Sequence, residues 1–209
     1  MEFLLGMIVA IVLAIILLAT IKHKRRQQKR ERIITHYEFP ASLRTKLHRQ
    51  YPHLTHAQLA QAEKGLRDYF LMCNTAGRKL LAMPSQAVDL LWHEFILFTR
   101  QYQEFCQMAL GRFLHHTPAE AMSSPTQAQQ GIKNAWRVAC AREKISPRSP
   151  KRLPLLFAMD ALLDIPDGFH YSLNCEQGGD YCAGHIGCGS GCAGDCGGDS
   201  GCGGGCGGD

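Results

Sequence analysis

The chain has 209 residues and a formal net charge of +5 at pH 7. Once an apolar N-terminus is set aside, that length leaves one domain of about 130 residues plus extensions, which argues for a single core and against a multidomain assembly. The positive balance averages unlike pieces and so is no footprint of nucleic acid by itself: residues 22–32 hold seven Lys and Arg against one Glu, whereas 170–209 hold five acids and neither Lys nor Arg.

The first element is a run of nineteen residues without charge, from Phe3 to Ile21. At about 1.5 Å of rise per residue, such a helix covers roughly the 30 Å hydrocarbon thickness of a bilayer. A cleavable signal would carry a basic flank in front, a shorter apolar core and a small-residue exit. Here Glu2 stands in front, the core is over-long, and Leu18-Ala19-Thr20 is a poor exit. A core helix of a soluble protein would show a polar face. Residues 1–21 are therefore expected to be a single transmembrane anchor.

Lys22, Lys24, Arg25, Arg26, Lys29, Arg30 and Arg32 follow the span, while only the terminal amine and Glu2 precede it. Positive flanks stay inside, so the N-terminus is expected outside and the C-terminal domain in the cytoplasm. Residues 22–36 form a basic juxtamembrane arm, for which the anionic headgroups of the lipid bilayer are the simplest partner. The arm has no interleaved aromatics to stack on bases, so nucleic acid is not expected as a partner.

From 37 to 169 the periodicity is helical throughout, which predicts a small all-α domain of about five helices. Pro40 to Tyr51 suits a first short helix. Thr55 is a plausible N-cap for a second, with Leu59, Ala62, Leu66, Tyr69, Phe70 and Cys73 on its apolar face and Gly77 at its end. Ser85 caps a third, whose stripe of Val88, Leu91, Trp92, Phe95 and Phe98 continues through Tyr102, Phe105, Cys106 and Ala109 to Gly111. Thr126 opens a fourth, prolines at 147, 150 and 154 mark a linker, and Leu155 to Leu163 is the last.

The densest chemistry lies between 85 and 118. Asp89 and His93 are four apart and share a helix face between Leu90, Ile96 and Leu97, while Glu94 is expected to face solvent. Two readings compete. In one, Asp89, His93, Cys106 and either His115 or His116 hold a metal ion, because carboxylate, imidazole and thiolate all ligate zinc. In the other, which residue statistics favour, Asp89 orients a histidine, Cys106 is a small core residue and Trp92 packs the interior. Geometry discriminates between them. In one straight helix from 86 to 111, His93 lies about 27 Å from Gly111, and five further residues return at most about 17 Å, so the four-residue cluster closes only with a break near Thr99.

Val88, Asp89, Trp92 and His93, then Tyr102 and Cys106, then His116 and Pro118 resemble the core of the glycine-rich domain-containing family, in which a VD-x2-WH helix precedes a Tyr-x3-Cys element and a histidine before a proline turn. The resemblance covers about a third of the helical domain, and the glycine-rich C-terminus agrees with it. It implies a fold unit and no reaction.

Residues 170–209 form a low-complexity tail. Fifteen of the 21 glycines and seven of the 10 cysteines lie there. Too few apolar side chains remain to offset the ordering entropy, so the tail is expected to be disordered. In the cytoplasm Cys175, Cys182, Cys188, Cys192, Cys196, Cys202 and Cys206 would be mostly reduced, which favours zinc or another soft metal ion over a disulfide framework, although no C-x2-C knuckle is present. The chain has no HExxH, G-x-S-x-G or phosphate loop. It therefore reads as a membrane-anchored cytoplasmic protein whose helical domain binds a protein partner and whose tail binds metal. The alternative is a metal-dependent enzyme using Asp89, His93, Cys106 and His116, with Glu94 or Glu120 as base.

Overall fold

The computed structural model describes residues 2–116, 125–173, 181–183 and 186. The fold is all-α. Its helices are α1 (Glu2–His36), α2 (Ser42–Gln50), α3 (His56–Ala76), α4 (Gln86–Leu97), α5 (Thr99–Ala109), α6 (Pro125–Glu143) and α7 (Leu155–Leu162). Two short strands, β1 (Tyr171–Ser172) and β2 (Tyr181–Cys182), pair in parallel.

Helix α1 is apolar enough over its first half to cross a membrane. Leu13 and Leu18 are 61% and 66% exposed, as side chains facing hydrocarbon would be. The basic arm is not a separate piece, because α1 runs through it without a break. Its end belongs to the domain core: Ile34 is fully buried, Asn74 donates to the Gln27 carbonyl at 3.3 Å, and Arg67 donates to the carbonyls of Ile34 and Tyr37 at 2.9 and 2.8 Å. A cation there satisfies carbonyls that a helix C-terminus leaves open.

The cap signals place the helices that carry the site. Thr55 and Gln58 form a reciprocal capping box at the start of α3. At α4, the Ser85 hydroxyl accepts from the Val88 amide at 3.2 Å and donates to Asp160 at 2.6 Å. Asp160 comes from α7 and is buried; its carboxylate also accepts from the amides of Gln86, Ala87 and Phe169 at 2.7, 3.2 and 2.8 Å. One acid thus ties α7 and the 168–169 turn to the open N–H groups of α4. Gly168 is needed for this, since a Cβ there would lie 2.6 Å from that of Asp160.

The apolar stripe from Val88 to Ala109 does not form one helix. α4 ends at Leu97, Phe98 stands between the helices with φ −77° and ψ 57°, and α5 begins at Thr99. The break lets both helices bury aromatic faces around one centre, where the rings of Phe39, Phe70, Phe95 and Phe105 lie 4.8–6.2 Å apart. A second focus joins Trp136, Phe157 and Tyr171. Tyr171, Ala183 and Ile186 are buried, so the glycine-rich segment contributes to the core where it begins. The expectation of a disordered tail otherwise falls outside the described residues.

Candidate metal centre

Asp89 and His93 stand one turn apart on α4, and the segment that follows α5 returns His116 to them. Tyr102 holds that return in place. Its hydroxyl accepts from the Trp92 indole N–H at 3.0 Å and donates to the Leu114 carbonyl at 2.5 Å, linking α4, α5 and the 110–116 segment through one buried oxygen. The Trp92 ring meets His116 edge-on, with centroids 4.5 Å apart.

The three side chains form one cluster, whose ligand atoms all lie within 4.8 Å of one another. His116 Nε2 is 3.0 Å from Asp89 Oδ1, His93 Nε2 is 3.3 Å from His116 Nδ1, and His93 Nε2 is 3.6 Å from Asp89 Oδ2. If His116 Nε2–H donates to Asp89, the Nδ1 lone pair faces His93, and the carboxylate selects that tautomer in the metal-free cluster. Two donors bound about 2.1 Å from a tetrahedral ion sit about 3.4 Å apart, close to the 3.3 and 3.6 Å that separate His93 Nε2 from the other two side chains, and Asp89 would exchange its bond to His116 for one to the ion. The side chains of His116 and Asp89 are 13% and 21% exposed, while that of His93 is 48% exposed, so the cluster opens on one side. It opens into a cleft of about 490 Å³, whose wall includes Arg78, Lys79, Leu81, Met83, Arg112 and Phe169.

Cys106 does not join the cluster. The helical phase of α5 turns it into the core, where it is fully buried. Burial pushes its thiol pKa up, which opposes the thiolate that ligation needs. His115 also lines the cleft but is exposed and packs on Phe113, with ring centroids 4.8 Å apart. Glu94 is half-buried rather than solvent-facing, because it pairs with Lys46 at 3.6 Å, and it does not line the cleft. Glu120 and Pro118 lie outside the described residues.

Of the tail cysteines, Cys175, Cys188, Cys192, Cys196, Cys202 and Cys206 lie outside the described residues. Cys182 is disulfide-bonded, in contrast to the reduced thiol expected there. The β1–β2 pairing and the burial of Ala183 hold this part of the chain against the core, so its glycine content does not leave it unrestrained. Cys73, Cys106 and Cys140 are free and buried.

Asp160, Arg78, Lys79 and Arg112 also shape the site and stand outside the motifs legible in the sequence. Arg78 and Lys79 directly follow the Gly77 cap and Arg112 follows Gly111, so their placement beside two helix ends was the available signal. Asp160 offered none, since its main partners lie 73 to 75 residues away.

A family model described as UCP032817-like matches residues 29–192. The match starts inside the basic arm, where α1 enters the core, and it contains every residue that carries the resemblance to the glycine-rich domain-containing family, of which its description says nothing. No curated protein and no solved structure matches the chain.

Proposed function

The chain belongs to the UCP032817-like family, and from its site we propose that it is a membrane-anchored protein whose helical domain binds a divalent metal ion, zinc foremost, through Asp89, His93 and His116. One observation carries the reading: three competent donors from two separate segments stand at ligand-to-ligand spacing on the wall of an open cleft. Three protein ligands leave a tetrahedral ion one position for water or a ligand, the arrangement of catalytic zinc sites, whereas structural sites close all four. Such an ion lowers the pKa of its bound water or polarises an oxygen of the ligand. Asp89 and both histidines would ligate the ion, and Tyr102 with Trp92 would hold the histidine segment in register.

Metal analysis of the purified full-length protein tests this. One zinc per chain is expected in the wild type, lost in Asp89→Ala and in His116→Ala. It should persist in Cys106→Ser and in a version ending at Ile186, which separates this site from the distal tail cysteines. Zinc that disappears with residues 187–209 and survives His116→Ala would overturn the assignment.

For orientation, the Lys and Arg run after the span supports an outer N-terminus and a cytoplasmic domain. The disulfide at Cys182 favours the reverse, since disulfides persist in oxidising surroundings. A membrane-impermeant maleimide added to intact cells carrying Ser149→Cys decides between them. The cytoplasmic reading expects no labelling beyond that of the native chain until the cells are lysed, and labelling of intact cells reverses it.

A further inference from the structure

The cleft beside the triad carries more positive charge than its own residues neutralise. Arg78, Lys79 and Arg112 line it together with Asp89, its one carboxylate among the described residues. Arg78 and Lys79 are exposed and have no carboxylate partner among the described residues. Arg112 is half-buried, and its guanidinium donates to the Gly77 carbonyl at 2.6 Å and to that of Phe113 at 3.5 Å. Those bonds hold the group beside the 78–79 segment without cancelling its charge. Three cations against one carboxylate leave an excess before any metal binds, and a divalent ion would enlarge it. Clefts of one sign focus field and concentrate ligands of the other. Guanidinium groups suit phosphate by their forked, charge-assisted hydrogen bonds, and a lysine adds a mobile point charge. Leu81, Met83 and Phe169 give the same cleft apolar lining that would take the remainder of a small molecule.

We propose that this cleft binds a phosphorylated small molecule, its phosphate held between Arg78, Lys79 and Arg112 on one side and the metal at Asp89, His93 and His116 on the other. The inference rests on the metal reading for the second of these two anchors, while the cationic wall stands on its own residues. The phosphate oxygens would occupy the coordination position that three protein ligands leave open.

Calorimetric titration of inorganic phosphate into the full-length protein in detergent, with and without bound zinc, tests it. Wild-type protein is expected to bind phosphate, and Arg78→Ala/Lys79→Ala to weaken binding about tenfold or more, the usual scale for hydrogen bonds to charged groups. Because both substituted side chains are exposed, thermal unfolding should stay at the wild-type value, and zinc affinity should not fall. Sulfate should compete. Phosphate affinity unchanged in the double variant overturns the proposal, as does no phosphate binding at millimolar concentration. If the protein takes up no zinc, the metal reading fails separately. Phosphate binding that still depends on Arg78 and Lys79 then upholds the cationic half and removes the metal half.

Discussion

The Tyr102 hydroxyl shows how much one buried oxygen can organise. It accepts from Trp92 and donates to Leu114, and both partners are themselves buried. Tyr102→Phe keeps the ring and its packing but leaves an indole N–H and a carbonyl without partners. Unsatisfied buried groups of this kind cost about 1–3 kcal/mol each, more than the bond contributes when made. The variant should lose at least about 2 kcal/mol in urea unfolding and bind zinc more weakly, because the segment that delivers His116 is no longer tied to α4. Undiminished zinc affinity in a destabilised variant would confine Tyr102 to a purely structural role. The same scale explains what was legible. Asp89 and His93 can be paired from sequence because four residues along a helix share a face, and His116 lies within chain reach once α4 and α5 separate. Cys106 is misleading because competence as a ligand says nothing of direction, and the phase of α5 turns its thiol inward.

Among the elements, the start of α4 depends on a residue of another helix. The Asp160 carboxylate accepts from Ser85 and from three backbone amides, so it does for α4 and the 168–169 turn what a local cap alone cannot. Asp160→Ala should remove about 3 kcal/mol or more, since it orphans several buried donors at once. Ser85→Ala, which loses one cap, should remove about 1 kcal/mol. Equal losses in the two variants, measured by urea unfolding, would show that the acid contributes nothing beyond its bond to Ser85. Helix starts at Thr55 and Ser85 are readable because capping is local. The end of α4 is not, because Phe98 continues the apolar stripe and no Gly or Pro punctuates it. The turn there comes from the aromatic centre, where both helices bury their rings. Such a requirement arises only from the assembled core and leaves no local trace.

At the scale of the molecule, α1 makes its apolar, membrane-length half and the helical domain one body. Read from composition alone, residues 22–36 are a basic juxtamembrane arm with anionic headgroups as its simplest partner. Its helix, however, runs on into the core, where Gln27 and Ile34 carbonyls are capped by Asn74 and Arg67 and where Glu31 meets Arg142 at 3.5 Å. The cleft therefore sits at a set height and angle relative to the span, because a continuous helix rises a fixed amount per residue and is clamped at its far end. Proteases need locally unfolded chain, and opening this segment means tearing Ile34 from the core. Limited trypsin digestion of the detergent-solubilised protein should cut first at Arg148 and Lys151, which lie in the exposed segment between α6 and α7. Lys29, Arg30 and Arg32 should resist on the same timescale, although they belong to the most basic stretch of the chain. Ile34→Asp should abolish that resistance by expelling the helix end from the core. Cleavage at Lys29 to Arg32 as fast as at Arg148 in the wild type would mean that the apolar half of α1 and the domain move independently, and the cleft would then have no fixed position relative to that helix.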